Sequence, residues 1–303
     1  IAALILGIFV LPRDEKAKFT LKGFDGAGAV LIFAGLAALL YAFSEGYKLG
    51  WTSAPVLICI VLAVLCIAAF IVCEKKVKSP ILDLNLFKNP SFLLLNVVLC
   101  VMYFTLAGAQ YLLPFYLQLI QSLSTFESGL VLTVMSLGIM TAGVLSGQIY
   151  AKMVGKIRVL ILSGVAILAL GYFFLSKISP VSGLGIIVLG LALIGFGVGL
   201  TTTTATTLLM SSVKPEKNGM VSSITGLERF APMTIGIAFF NLLLIAGVKA
   251  IAKHTDITTR PLQDVAAGIL TSGFDLCFFV SMSLAVVAFV ICLFVKESRL
   301  KQA

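Results

Sequence analysis

Residues 183–212 read GLGIIVLGLALIGFGVGLTTTTATTLLMSS and contain no charged side chain. A bilayer's hydrocarbon core is about 30 Å thick and needs roughly 20 apolar residues in a helix, because lipid cannot satisfy backbone polar groups. This stretch is therefore long enough to cross a membrane. The whole chain agrees, since 60% of its 303 residues are hydrophobic and 12% are charged, against about 25% charged in an ordinary soluble domain. The sequence predicts an all-α integral membrane protein.

Eight apolar runs are long enough to span the bilayer. They cover residues 24–44, 53–73, 91–118, 127–150, 157–177, 183–212, 219–248 and 272–295. The opening IAALILGIFVL, residues 1–11, is too short to span alone, and we expect it to be the end of a preceding span in a longer protein. A signal peptide is the alternative for this stretch, but its basic residues follow the apolar run and do not precede it.

The net charge of +9 reflects the distribution of lysine and arginine among the loops. Basic residues are concentrated in alternate loops, at 12–23, 74–90, 151–158, 213–218 and 296–303. The positive-inside rule places such loops in the cytoplasm. We therefore expect a multi-pass protein of the cell membrane with a cytoplasmic C-terminus. The charge needs no nucleic-acid partner to explain it.

The residues that enzyme chemistry requires are scarce. The chain has one histidine, His254, which excludes bis-histidine haem ligation and most catalytic zinc sites. No phosphate-binding glycine loop and no nucleophile elbow occur, and the six cysteines form no CxxC pair. We expect no enzymatic activity, no cofactor and no metal site.

Four stretches, in order along the chain, carry a resemblance to a known family. They are EGYKLGWTS at 45–53, SPILDLNLFKNPSF at 79–92, LLPFYLQLIQSLSTFESGL at 112–130 and VKPEKNGMVSSITGLERFAPMTIG at 213–236. Together they resemble the fourteen-span drug:proton antiporter branch (EmrB/QacA type) of the major facilitator superfamily. In that branch, two extra helices lie between two six-helix bundles.

The resemblance implies a major facilitator fold in two parts. Residues 1–90 would hold the end of a preceding span and two linker helices, and residues 91–303 the C-terminal six-helix bundle. It also implies proton-coupled efflux of drugs or amphipathic small molecules, with the N-terminal half of the protein missing from this sequence. Fold alone does not fix direction or substrate, so an importer of the same fold and a non-transporting membrane scaffold are the alternatives.

Ionisable side chains inside spans are costly, which makes them functional candidates. Glu228 and Arg229 lie about ten residues inside the seventh span, roughly 15 Å from its start. Glu228 is the candidate for proton binding, and a static ion pair is the alternative. Gln110 and Tyr111 precede a helix break that Pro114 implies, and irregular backbone in membranes is tolerated where it lines a cavity.

The threonine-rich segment divides into two faces. At about 100° per residue, Thr201 and Thr204 fall on one side of the helix, and the arc on the other side consists of Thr202, Thr203, Thr206 and Thr207. This arc either contributes to a polar cavity or packs with its hydroxyls bonded to backbone carbonyls. Upstream, the sequence predicts close approach of a neighbouring helix at Gly190, Gly195, Gly197 and Gly199.

The basic loop GQIYAKMVGKIRV occupies the place of the family's cytoplasmic turn but lacks the aspartate usual there. Its candidate residues are Lys152, Gly155, Lys156 and Arg158. Without the aspartate an ion-pair latch at this turn is not expected, and the three basic side chains can instead meet anionic lipid.

Overall fold

The computed structural model describes residues 25–77, 81–152, 157–180, 182–254 and 262–296. Within these ranges the chain forms eight long α-helices, and all eight are apolar enough to cross a membrane. They are α1 (Gly26–Leu49), α2 (Ala54–Glu74), α3 (Pro90–Leu119), α4 (Thr125–Lys152), α5 (Ile157–Leu175), α6 (Leu184–Ser211), α7 (Asn218–His254) and α8 (Leu262–Leu293). The predicted all-α membrane fold with eight spans is confirmed.

The helix starts have the capping groups that their sequences provide. The Asp25 carboxylate accepts a hydrogen bond from the Gly28 amide at 2.8 Å, and the Asn89 side chain accepts from the Ser91 amide at 3.0 Å. Each cap satisfies one backbone N–H that has no partner within the first helical turn. Pro90 occupies the first position of α3, where the missing N–H costs nothing.

Pro114 does not break its helix, and the predicted break is wrong. The α3 helix continues through Pro114 to Leu119. A proline removes one backbone hydrogen bond and crowds the carbonyl one turn earlier, but a transmembrane helix tolerates this because its neighbours hold it in place. Leu113 and Leu117, which lie close to Pro114 along the helix, are fully buried, whereas Phe115 is exposed. Tertiary packing therefore outweighs the local cost.

Six helices, α3 to α8, pack into one bundle. The α6 helix lies between α4 and α5, α3 packs against α7 and α8, and α8 also contacts α5. Glycines allow close approaches between these helices, as predicted. A methyl group on Gly197 would lie 2.6 Å from the carbonyl oxygen of Gly164 on α5, so the two backbones pack directly against each other.

The first two helices form a separate hairpin. The α1 and α2 helices pack on each other, and α1 also contacts α7 of the bundle. At the turn that joins them, the Trp51 ring packs edge-on against Phe43 with 5.6 Å between ring centroids. The hairpin thereby partly covers α7.

Candidate functional site

Glu228 is a buried carboxylate within α7. Its side chain is 6% exposed, and neither of its carboxylate oxygens has a hydrogen-bond partner among the described residues. The described part of the chain also offers it no ion pair, because the salt bridges found there join Lys48 to Glu45 and Lys217 to Asp83. A charged group is costly in such a place, and a bound proton or a cationic partner would remove that cost.

Two side chains of α3 lie close to Glu228. Cys100 and Tyr103 both lie within electrostatic range of its carboxylate. Two turns further along α7, the two helices touch, since a methyl group on Gly236 would lie 2.6 Å from the Phe104 carbonyl oxygen. Glu228 is therefore held next to a tight interface between α3 and α7.

Arg229 occupies a different face of α7 from its neighbour. It is exposed, and its guanidinium carbon lies 5.6 Å from the centroid of the Phe230 ring. Consecutive residues on a helix point about 100° apart, so burial of Glu228 and exposure of Arg229 follow from one helix orientation. The structure separates these two candidates and does not pair them.

Tyr111 lines a cavity of about 230 Å³ between α1, α3 and α7, whose walls combine polar and apolar side chains. Its hydroxyl donates a hydrogen bond to the Asn241 side-chain oxygen at 3.0 Å, and Ser44, Lys48 and Thr234 also line the space. Gln110, predicted alongside Tyr111, is exposed on another face of α3. A role for Asn241 was not predicted from the sequence, although Asn241 is a single amide side chain in an otherwise apolar stretch of α7.

The threonines of α6 divide into two faces as the sequence predicts. Thr201 and Thr204 are fully buried, whereas the four arc residues are partly or fully exposed. Among the described residues, the two buried hydroxyls have no hydrogen-bond partner. In the arc, Thr202 donates to the Val198 carbonyl at 2.9 Å and Thr207 donates to the Thr203 carbonyl at 2.7 Å.

The structure assigns a specific contact to one residue of the basic loop. The Arg158 guanidinium donates to the Leu293 carbonyl at the carboxyl end of α8, where a cation also complements the helix dipole. Lys152 is the last residue of α4. Gly155 and Lys156 lie outside the described residues. Arg158 thus joins two helix ends and does not simply extend toward lipid.

The family model described as Major Facilitator Superfamily matches residues 3–237, which is most of the chain. The chain belongs to the Major Facilitator Superfamily. The eight spans of this facilitator chain make it a multi-pass membrane protein of a transporter family, and that family does not consist of enzymes.

Curated relatives of this facilitator chain are drug-resistance or multidrug-transporter proteins by name. "Multidrug resistance protein Stp" of Mycobacterium tuberculosis is 31% identical over 250 residues, which cover 82% of this chain and 46% of that protein. "Multidrug transporter protein MdtP" of Bacillus subtilis is 32% identical over 224 residues, covering 74% and 41%. "Lincomycin resistance protein LmrB" of Listeria monocytogenes is 27% identical over 306 residues, covering 99% and 62%. The chain spans about half the length of these relatives.

A solved structure supports the same fold. The inward-facing, unoccupied form of a bacterial homologue of the human lysosomal transporter Spinster aligns with a TM-score of 0.56 at 13% identity. The alignment covers 91% of this chain and 69% of that structure. At this identity the likeness concerns the fold alone.

Proposed function

We propose that this facilitator chain is the C-terminal part of a fourteen-span drug:proton antiporter, which exports amphipathic or cationic small molecules as protons enter. Residues 1–90 would supply the linker helices, residues 91–303 the second bundle, and the C-terminus would be cytoplasmic. The observation that carries the proposal is the buried Glu228 carboxylate, which has no hydrogen-bond partner in the described part of the chain. The names of the relatives, a multidrug resistance protein and a multidrug transporter, support the substrate class.

The proposed coupling follows from the cost of burying a charge. In this packing the Glu228 carboxylate lies beside the interface between α3 and α7, where a proton on it removes most of the desolvation cost. Two bundles that rock about a central site would alternately open such a group to water on each side. A group that is buried in one state and hydrated in the other can load and release a proton once in each cycle.

The substrate path is proposed to pass two groups of polar side chains. One is the threonine arc of α6, and the other is the Tyr111–Asn241 pair with its cavity, while the exposed Arg229 would meet a partner in the proposed N-terminal half. Pockets for small molecules commonly fix a ligand with a few polar groups among apolar walls. The threonine arc and the Tyr111–Asn241 pair are small groups of polar side chains on otherwise apolar helices, as such a pocket requires.

The test is Glu228→Gln in the complete native protein, reconstituted in vesicles with an imposed proton gradient. Glutamine keeps the size and the hydrogen-bonding capacity but cannot carry the proton. We expect normal expression and at least a tenfold loss of gradient-driven efflux, with substrate binding in detergent retained. Glu127→Gln is the matched control, because Glu127 is an exposed carboxylate that caps its own helix by accepting from the Ser124 amide at 2.9 Å. Undiminished gradient-driven efflux by Glu228→Gln would refute the coupling role.

A further inference from the structure

An apolar cavity of about 400 Å³ lies between the hairpin and the first turns of α7. Its walls are almost entirely hydrocarbon, and they include Phe33, Leu36, Phe70, Met220, Ile224 and Phe230. Phe33 is 76% exposed and Phe230 is 64% exposed, so the cavity opens sideways at the surface of the membrane-spanning region. Its volume falls in the range of about 300 to 1,000 Å³ typical of ligand pockets.

A charged recess adjoins this apolar cavity and shares Leu82 as a wall. The recess has a volume of about 360 Å³, and its charged lining residues are Glu74, Lys75, Asp83 and Lys88. It lies where α2 ends and where α3 begins, at the edge of the apolar spans. The two spaces are therefore neighbours, one with hydrocarbon walls and the other with charged walls.

The two acids of the charged recess are already engaged. Glu74 accepts a hydrogen bond from the Leu82 amide, and Asp83 is paired with the Lys217 ammonium at 2.6 Å. Lys75 and Lys88 are exposed, and neither forms an ion pair with a side chain in the described ranges. The recess therefore presents two lysine side chains, Lys75 and Lys88, that no acid among the described residues pairs.

The depth of each space matches one part of a phospholipid. Met220 and Ile224 lie two and six residues after the start of α7 at Asn218, or about 3 and 9 Å along the axis, and Phe230 lies about 18 Å along it. The apolar cavity thus reaches from the membrane surface to acyl-chain depth. The charged recess sits at the level of the lipid head groups.

We propose that this composite site binds one anionic phospholipid, with its phosphate head group between Lys75 and Lys88 and one acyl chain in the apolar cavity. Charge complementarity selects an anionic lipid over a zwitterionic one. The bound lipid would fill the space between the hairpin and α7 and hold the two together. The proposal does not depend on proton coupling or on the direction of transport.

The head-group contact is tested by native mass spectrometry of the complete native protein, titrated with phosphatidylglycerol and, separately, with phosphatidylcholine. We expect the wild type to retain phosphatidylglycerol preferentially. The double variant Lys75→Gln/Lys88→Gln should lose about 30-fold in affinity for it, because each basic residue near an anionic lipid contributes about fivefold. Lys214→Gln/Lys296→Gln is the matched control, since it removes two exposed lysines from loops that do not line the recess.

The acyl contact is tested separately by Gly226→Phe. Gly226 lines the apolar cavity, and a Cβ atom added there would meet no atom within 4 Å, so a phenylalanine side chain would start in open space and extend into the cavity. We expect it to displace phosphatidylglycerol with both lysines intact, whereas Gly129→Phe, at an equally open position on α4, should not. Equal retention of the two lipids by wild type, equal losses in the lysine pair and its control, or displacement by glycerol phosphate alone would each overturn the proposal.

Discussion

Thr201→Val replaces a hydroxyl with a methyl group at a site where the hydroxyl has no partner among the described residues. Thr201 is 0% exposed, and its Oγ1 atom makes no hydrogen bond there. Leaving a buried polar group unsatisfied costs about 1 to 3 kcal/mol, and valine has the same shape without that group. We expect Thr201→Val to stabilise the protein by about 1 kcal/mol, taking the lower end because a hydroxyl in a helix can partly reach the preceding carbonyl.

Thr202→Val should instead destabilise the protein. Thr202 donates to the Val198 carbonyl at 2.9 Å, and hydroxyl hydrogen bonds in membrane proteins average about 0.6 kcal/mol. The two variants should therefore differ by about 1.5 kcal/mol in unfolding free energy. Thr204→Val is the matched control for Thr201, because Thr204 is 1% exposed and its hydroxyl also has no partner in the described part of the chain.

The assay is thermal unfolding of the complete native protein in a mild detergent, followed by transport with substrates of graded polarity. A 1 kcal/mol change corresponds to a shift of at most about 2 °C in a protein longer than 250 residues, so Thr201→Val and Thr204→Val should melt higher and Thr202→Val lower. If the arc faces the substrate path, only the arc variants should shift the preference toward apolar compounds. A lower melting temperature for both Thr201→Val and Thr204→Val would refute the reasoning about unsatisfied hydroxyls.

Three further predictions concern the loops and the helix packing. The hydrogen bond from Lys217 lowers the pKa of Asp83 in the folded protein. The ion pair therefore stabilises the fold fully at a pH above the unfolded-state pKa of about 3.9, and this stabilisation is lost as the pH falls through the lower pKa of the folded state. Asp83→Asn should thus lower the unfolding free energy by up to about 1 kcal/mol at neutral pH but not in strong acid; a difference unchanged by acid would contradict this. Gly195→Ala should lower the unfolding free energy by about 1 to 3 kcal/mol, because its methyl group would collide with a backbone carbonyl of α4. Gly129→Ala, at an open position, should leave the melting temperature unchanged. Thr255→Cys, outside the described residues, should react with an impermeant thiol reagent in intact cells, and labelling only after the membrane is opened would reverse the proposed topology.

The span pattern was predictable because it depends on length and local composition alone. In lipid, a chain segment must satisfy its own backbone hydrogen bonds, and an α-helix does this. Each long apolar run was therefore predicted to be a membrane-spanning helix without knowledge of its neighbours. The ends were less predictable, since α7 continues through Lys249 and Lys253 to His254 beyond the apolar run. Bilayer thickness limits the hydrophobic part of a helix but not the polar turns that extend beyond it.

The contacts between helices were not predictable from one sequence. Tyr111 and Asn241 are 130 residues apart, and Arg158 and the Leu293 carbonyl are 135 apart, so no local pattern links them. The two faces of α6 followed from helical periodicity, but the lack of partners for the buried threonines did not. It depends on how closely α5 approaches at Gly164, where an added methyl group would collide with Thr201.

The proposed proton site and the proposed lipid site lie on the same two turns of α7. Leu227 and Phe230 line the apolar cavity. Glu228 lies between them in sequence, but its side chain points into the bundle because successive residues of a helix are rotated by about 100°. A packed helix shifts as a rigid element and does not bend at one side chain, so a movement that hydrates Glu228 must also change the shape of the cavity. A lipid that binds one shape better than the other then biases the exposure of the carboxylate, because a ligand shifts an equilibrium by its differential affinity for the two states. Transport by Glu228→Gln and by wild type is therefore comparable only in vesicles of the same anionic lipid content.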